Sequence, residues 1–315
     1  MRKIIVTGGV GYVGSELVRQ LARGKDAEIH VIDNLACGEH RLDRIASTGM
    51  TLHRIDIRDP IAVKTVVRSV RADTIFHLAA VHYIPACEAA PGEATAINVA
   101  GTVNLLDAVD NGARFVFASS AAVYAPSDSP YVESAESLGP VDIYGITKSH
   151  GEELVRYFHE RRRVDAAIVR LFNVVGPGET NPHLVPAVVG QIARGEHRVQ
   201  LGNLFPRRDY IDVSDAAEGF RRLGEAAAKD DGLPILSNLG TGKSYAVHEV
   251  VDQIGKAAGV SLEIVQDPAR VRQNDRPLLC ASTRVLESIT GWLPRTSLDR
   301  SLQAAWDSRA ADGFA

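Results

Sequence analysis

The stretch Lys3-Ile-Ile-Val-Thr-Gly-Gly-Val-Gly-Tyr-Val-Gly14 decides the fold. Residues 3–7 are a short β-branched run and predict a strand, the glycines predict a tight turn, and Glu16-Leu-Val-Arg-Gln-Leu21 has helical periodicity. A strand that passes through a glycine turn into a helix presents the helix N-terminus to an anion, and glycine lets the backbone come close to a pyrophosphate. Residues 28–32 predict a second strand, and Asp33 follows it, 19 residues after Gly14. A carboxylate there accepts hydrogen bonds from a ribose diol and repels a 2′-phosphate. The segment therefore predicts dinucleotide binding, with NAD favoured over NADP.

The alternation continues outward from this unit. Residues 51–55, 74–78 and 114–118 read as strands, and residues 61–70 and 94–109 as helices. Strands alternating with helices imply an α/β fold, a doubly wound parallel sheet with ligands at the carboxyl ends of its strands. Those ends carry Asp56, Ala79-Ala80 and Ser119-Ser120. Further on, residues 141–157 read as a long amphipathic helix, and Asp142-Ile-Tyr-Gly-Ile-Thr-Lys148 sets Tyr144 and Lys148 four apart near its start. Residues i and i+4 share a helix face, so an ammonium near a phenol is expected to lower the phenol pKa toward the range of a general base.

Composition narrows the function classes. The 315 residues carry 35 basic and 39 acidic side chains, a net charge of -4, which offers no basic field for nucleic acid and no polybasic patch for a membrane. The expected partners are small molecules. Cys37, Cys87 and Cys280 lack the paired spacing of a disulfide framework or zinc site, so no metal is expected and a reducing compartment is. The opening Ile4-Ile5-Val6 run is too short for a signal peptide, and no apolar run approaches a membrane span. The expected location is cytoplasmic.

Taken together, Thr7-Gly-Gly-x-Gly-x-x-Gly14, Asp33, Asp56-Ile-Arg-Asp59, His77-Leu-Ala-Ala80, Asn98, Ser119-Ser120 and Tyr144-x-x-x-Lys148 resemble the extended short-chain dehydrogenase/reductase family, in its NAD-dependent sugar-nucleotide epimerase/dehydratase branch. The resemblance implies a Rossmann sheet with a smaller, interleaved C-terminal substrate domain. The NAD-binding part would take residues 1–174 plus 208–240, and the nucleotide-sugar-binding part residues 175–207 plus 241–315. It makes Ser120, Tyr144 and Lys148 the catalytic set. It gives the dinucleotide to Gly8, Gly11, Tyr12, Val13 and Gly14 at the turn, to Asp33, Asn34, Asp56 and Ile57 around the adenosine, and to Leu78, Ala79, Ala80, Asn98, Tyr144 and Lys148 beyond it.

The second half carries the resemblance on. Arg170-Leu-Phe-Asn173, Leu184-Val-Pro186, Val199-Gln-Leu201, Arg208-Asp-Tyr210 and Arg272-Gln-Asn-Asp275 match segments that hold a nucleoside-diphosphate sugar. This implies substrate contacts by Tyr83, Ser120, Asn173, His183, Leu184, Val199, Arg208, Tyr210, Arg272 and Asp275, with Arg208 and Arg272 on the diphosphate and Asp275 on the nucleotide ribose. Guanidinium forks suit a diphosphate physically. The family relationship also implies a homodimer.

Departures from the family pattern sharpen the chemistry. Its 4,6-dehydratases place an acid pair after the catalytic hydroxyl, where this chain has Ala121-Ala122, and neither alanine can move a proton. That leaves reversible oxidation at a sugar carbinol, with a UDP-hexose 4-epimerase as the leading expectation. A dehydratase or 4-keto reductase of the same fold is the alternative, and a non-enzymatic dinucleotide-binding protein is disfavoured by the presence of both Tyr144 and Lys148. The loop from His82 to Glu88 and the position of His183 differ from common galactose-type epimerases, and Ala125 stands where the family usually has glycine. Glu179, if it faces the pocket, disfavours a hexuronate and points to a neutral or N-acetylated sugar.

Overall fold

A computed structural model describes residues 1–24, 26–36, 38–110, 112–133, 138–161, 163–227, 232–271 and 275–314. Seven parallel strands form the main sheet: β1 (Arg2–Thr7), β2 (Ala27–Asp33), β3 (Thr51–Arg54), β4 (Thr74–His77), β5 (Arg114–Ser120), β6 (Asp165–Leu171) and, after three strands that lie elsewhere, β10 (Ile235–Leu239). Their order is β10-β6-β5-β4-β1-β2-β3. Successive side chains of β1 point to opposite faces. Ile4 and Val6 enter the core on one side, Ile5 enters the core on the other, and all three are at most 2% exposed. Burial on both faces explains why these strands read as continuous apolar runs rather than alternating ones.

The order reverses between β1 and β4, and there the connections leave to opposite faces and open a crevice at the strands' carboxyl ends. Helix α1 (Tyr12–Arg23) starts at that crevice from N-cap Gly11, which has no side chain to cap it. On the far side of the sheet, α2 (Pro60–Val70) begins with Pro60 behind N-cap Asp59, whose carboxylate accepts from Ile61 N and Ala62 N at 3.0 Å.

Short helices α3 (Ile84–Ala89) and α4 (Pro91–Thr95) lead into a π turn at Ala96–Ala100 and then α5 (Gly101–Ala108). The single helix expected over residues 94–109 is thus interrupted by a wide turn, at the point where Asn98 faces inward. Helix α6 (Ile143–Glu160) is capped by Asp142, whose Oδ1 accepts from Gly145 N at 2.7 Å.

The remaining strands are β7 (Asn173–Val175), β8 (Arg198–Leu201), β9 (Arg207–Asp212), β11 (Ser244–Ala246), β12 (Glu263–Gln266) and β13 (Leu278–Leu279). Strand β9 pairs with β7, β11 and β13 in a second sheet, so of the segment 208–240 only β10 joins the main sheet. The helices are α7 (Leu184–Ala193), α8 (Val213–Glu225), α9 (Val247–Ala258), α10 (Arg284–Thr290) and α11 (Leu298–Ser308). Helices α7, α9 and α11 share a small core with the β8–β12 pair. Within the segment 241–315, Leu286 of α10 and Trp292 instead enter the core of the main sheet. None of the helices among the described residues is long and apolar enough to cross a membrane.

Candidate active site

One cavity of about 1170 Å³ runs from the glycine turn, across the ends of β1, β4 and β5, to the second sheet. It exceeds the roughly 300–1,000 Å³ of a pocket for one small ligand, and it has room for a dinucleotide beside a second molecule. At one end Gly8 has φ +69°, and a Cβ on it would lie 2.7 Å from Ala79 N. A Cβ on Gly14 would lie 2.0 Å from Gly8 O. The turn therefore packs backbone on backbone and aims the uncapped N–H groups at the start of α1 into the cavity. Thr7 Oγ1 lies 2.7 Å from His77 Nδ1 and accepts from Ala79 N, fastening the turn to the end of β4. Burial and the Lys148 cation push the His77 imidazole down to about 3, so it serves there as a neutral hydrogen-bonding group.

Asp33 closes β2, with Oδ2 accepting from Val10 N at 2.9 Å and Oδ1 from Leu35 N at 2.8 Å. These bonds hold the carboxylate at the cavity wall, where it suits a ribose diol. Asn34 donates to Asp56 Oδ2 at 3.1 Å, and the Arg58 guanidinium on Asp56 holds that carboxyl well below the usual range. Glycine cradle, free helix terminus and ribose-facing acid together fit NAD.

Beside this end lie Ser120, Tyr144 and Lys148. Helix α6 carries Tyr144, Lys148 and Glu152 on one stripe, four residues apart, facing the end of β5. The Ser120 hydroxyl lies near enough to the Tyr144 phenol to lower its pKa. Lys148 is 3% exposed, and its Nζ donates to Ala118 O at 2.7 Å, 5.9 Å from the centroid of the Tyr144 ring. The lowered phenol pKa expected from spacing is not what these surroundings give. Desolvation raises the Tyr144 pKa strongly, and only the Ser120 hydroxyl among its main influences opposes it. Burial also pushes Lys148 down to about 8. With the ammonium turned to a backbone carbonyl, burial outweighs its charge at the phenol.

Twenty-two of the residues expected from sequence line this one cavity. Asn98 and Val199 do not, and Arg272 lies outside the described residues. Asn98 is 2% exposed and works behind the wall: its amide exchanges bonds with Val81 N and Val81 O at 2.9 Å and donates to Thr147 Oγ1, tying the loop after β4 to α6. Val199 points into the small core with Leu201, and alternation along β8 leaves Gln200 on the other face, where it reaches the cavity. Arg208 and Asp275, expected on different parts of a ligand, form an ion pair with each other. Cys87 is buried, and desolvation pushes its thiol up to about 11, away from the thiolate form that a nucleophile needs.

Sequence reasoning missed Arg41 and Arg276, both of which reach the cavity. Arg41 donates to Thr180 Oγ1, and no motif surrounds it. It also left open the wall formed by His82, Glu179 and His183, whose ligand-type atoms lie within 4.8 Å of one another, a separation that a metal ion could bridge. Here the Asn181 amide donates to His82 Nε2 at 3.1 Å, and burial beside Lys148 and Arg41 holds the His82 imidazole neutral, down to about 4. The observed arrangement is a hydrogen-bonding wall. Burial raises the Glu179 pKa against hydrogen bonds from Asn181 and Thr180.

The model of the NAD dependent epimerase/dehydratase family matches residues 4–236. The chain belongs to this family. Among its relatives, a GDP-6-deoxy-D-mannose reductase from Pseudomonas aeruginosa is 28% identical, with 99% of each chain covered. A UDP-glucose 4-epimerase from Oryza sativa subsp. japonica is 31% identical over 99% of this chain and 91% of its own. The UDP-glucose 4-epimerase of Bifidobacterium longum, solved with NAD⁺ and UDP, superposes with a TM-score of 0.88 at 25% identity, covering 99% of both chains. NAD is the cofactor of the family, and the cradle of this member has the residues to hold it.

Proposed function

We propose that the protein is a nucleoside-diphosphate-sugar 4-epimerase of the UDP-hexose type. The observation that carries this reading is the single cavity in which the NAD cradle, Ser120, Tyr144 and Lys148 meet, beside a turn whose next residues are Ala121 and Ala122. Tyr144, as the phenolate, takes the proton of the C4 hydroxyl, and Ser120 hydrogen-bonds the same oxygen. Lys148 supplies positive charge behind them. Arg208, and Arg272 as a further proposed contact, hold the diphosphate while the sugar turns. NAD bound beside Tyr144 supplies a reversible hydride acceptor. Ala121 and Ala122 offer no group to eliminate water, so the proton returns where it was taken, and the second face is presented by rotation of the substrate.

The His82–Asn181 and His183 wall offers hydrogen-bonding groups, which suits a neutral or N-acetylated sugar. Exposed Ile146 and Tyr157 on α6 support a homodimer formed along that helix.

Incubation of the purified protein with a panel of UDP- and GDP-sugars, with products resolved by chromatography and NMR, tests the reaction class. An epimerase gives the C4 epimer without net change in nicotinamide absorbance. Tyr144→Phe is expected to cut turnover by about 10²–10⁴-fold while leaving NAD bound. Near-normal turnover in that variant refutes the assignment. A 4-keto-sugar reductase is the second reading, favoured by the full-length similarity to a GDP-6-deoxy-D-mannose reductase. Stoichiometric consumption of reduced nicotinamide with a 4-keto substrate would select it.

A further inference from the structure

Arg276 is buried, at 6% exposure, and joins two pieces of the candidate catalytic apparatus. Its Nη2 donates to Ala122 O at 2.7 Å and its Nε to Tyr124 O at 3.3 Å, both on the turn that follows Ser120. Its Nη1 pairs with Asp142 Oδ2 at 3.3 Å, and Asp142 is the N-cap of the helix that carries Tyr144. The same turn fixes the Ser120 hydroxyl, because Ala122 N donates to Ser120 Oγ at 3.1 Å. Turn and helix meet closely at Gly145, where a Cβ would lie 2.3 Å from Ala122 O. A shift of Ala122 therefore moves the Ser120 hydroxyl and the first turn of α6 against each other.

We propose that Arg276 is a positioning residue for the Ser120–Tyr144 proton-transfer pair, its planar fork stapling the turn after β5 to the cap of α6. The inference rests on the epimerase reading for the roles of Ser120 and Tyr144. A helix cap alone would not require it, since Asp142 Oδ1 already satisfies Gly145 N. The two bonds to turn carbonyls are the part that a capping role leaves unexplained. Lysine is a point charge and cannot reproduce a fork that spans these acceptors. The staple is also continuous with the second sheet, because Arg208 Nη1 donates to Arg276 O at 2.7 Å.

The test compares Arg276→Met, Arg276→Lys, Asp142→Asn and Tyr144→Phe as full-length, NAD-loaded proteins. UDP-glucose is the first probe, replaced by whichever member of the panel turns over. Misplacement of a reacting pair by about 1 Å costs on the order of 100-fold, so Arg276→Met is expected to lower kcat by that factor. KM should stay within about threefold, because an interaction that acts on the chemical step alone leaves ground-state binding in place. Arg276→Lys should recover part of the loss. Asp142→Asn keeps the cap oxygen but weakens the pair, and should lose less than Arg276→Met. If Arg276→Met does not fold, Arg276→Lys and Asp142→Asn carry the test, and wild-type kcat in both overturns the proposal. A raised KM at unchanged kcat in Arg276→Met also overturns it, making Arg276 a substrate contact. Turnover retained by Tyr144→Phe would instead overturn the epimerase reading.

Discussion

Glu152→Gln is expected to destabilise the protein by about 3 kcal/mol, the lower end of the roughly 3–5 kcal/mol for removing one partner from a buried ion pair. Glu152 is 0% exposed and stands one turn beyond Lys148 on the same stripe of α6. Arg170 grips it with two parallel bonds of 2.8 Å, while Ser119 Oγ donates to the same carboxylate at 2.6 Å and Arg156 at 2.8 Å. Arg170 is 2% exposed, lies over the Tyr124 ring at 4.6 Å, and leaves Nη1 without a partner among the described residues. Glutamine preserves the shape and one acceptor oxygen but leaves Arg170 buried without a counter-charge, which sets the estimate near the lower bound. For 315 residues that corresponds to a fall in Tm of about 4–5 °C.

Urea unfolding of Glu152→Gln, Arg170→Met and the double variant measures the coupling. The double variant should lose clearly less than the sum of the singles, because it leaves no lone charge. Burial tends to raise the Glu152 pKa, but the Arg170 bonds outweigh it and hold the carboxyl below its ordinary value. The pair's contribution is therefore present above the ordinary glutamate pKa and is lost as pH falls through the depressed folded value. A loss below about 1 kcal/mol for Glu152→Gln, or additive singles, refutes the reasoning.

Other substitutions separate cofactor choice and the cost of the site. Asp33→Ser removes the charge at the ribose wall and should narrow the preference for NAD over NADP by about 10- to 100-fold in binding titrations, the range for a hydrogen bond to a charged group. Lys148→Met should abolish turnover yet stabilise the cofactor-free protein by on the order of 2 kcal/mol, from about 3 for relieving the pKa shift less about 1 for the lost bond to Ala118 O. The sign can be checked in urea unfolding against pH. A lysine held at about 8 instead of 10.5 makes the unfolded state the stronger proton binder between those values, so wild-type stability should gain a rising contribution across that window that Lys148→Met lacks.

Much of the fold and one end of the site were legible in the sequence, because backbone rules govern both. The strand-glycine-helix start and Asp33 need only local geometry to announce them, and parallel strands buried on both faces leave long apolar runs. The wide turn at Ala96–Ala100 was not legible, since Asn98 turns inward to bonds on Val81 and Thr147, contacts made by tertiary packing. The electrostatics of Tyr144 misled for a similar reason. Spacing put Lys148 on the right face but could not tell that its Nζ would reach Ala118 O, or that desolvation would dominate the phenol. Arg276 sits beside a recognisable clamp segment but acts through carbonyls more than 150 residues away in the chain, and no local pattern signals such a partner.

The ion pair between Arg208 and Asp275 has a consequence for how any anion reaches that arginine. Asp275 behaves as a tethered competitor, present at the effective concentration of an intramolecular group rather than that of a free solute. An incoming diphosphate does not neutralise a bare cation. It would have to displace a resident carboxylate, through its second charge and extra oxygens.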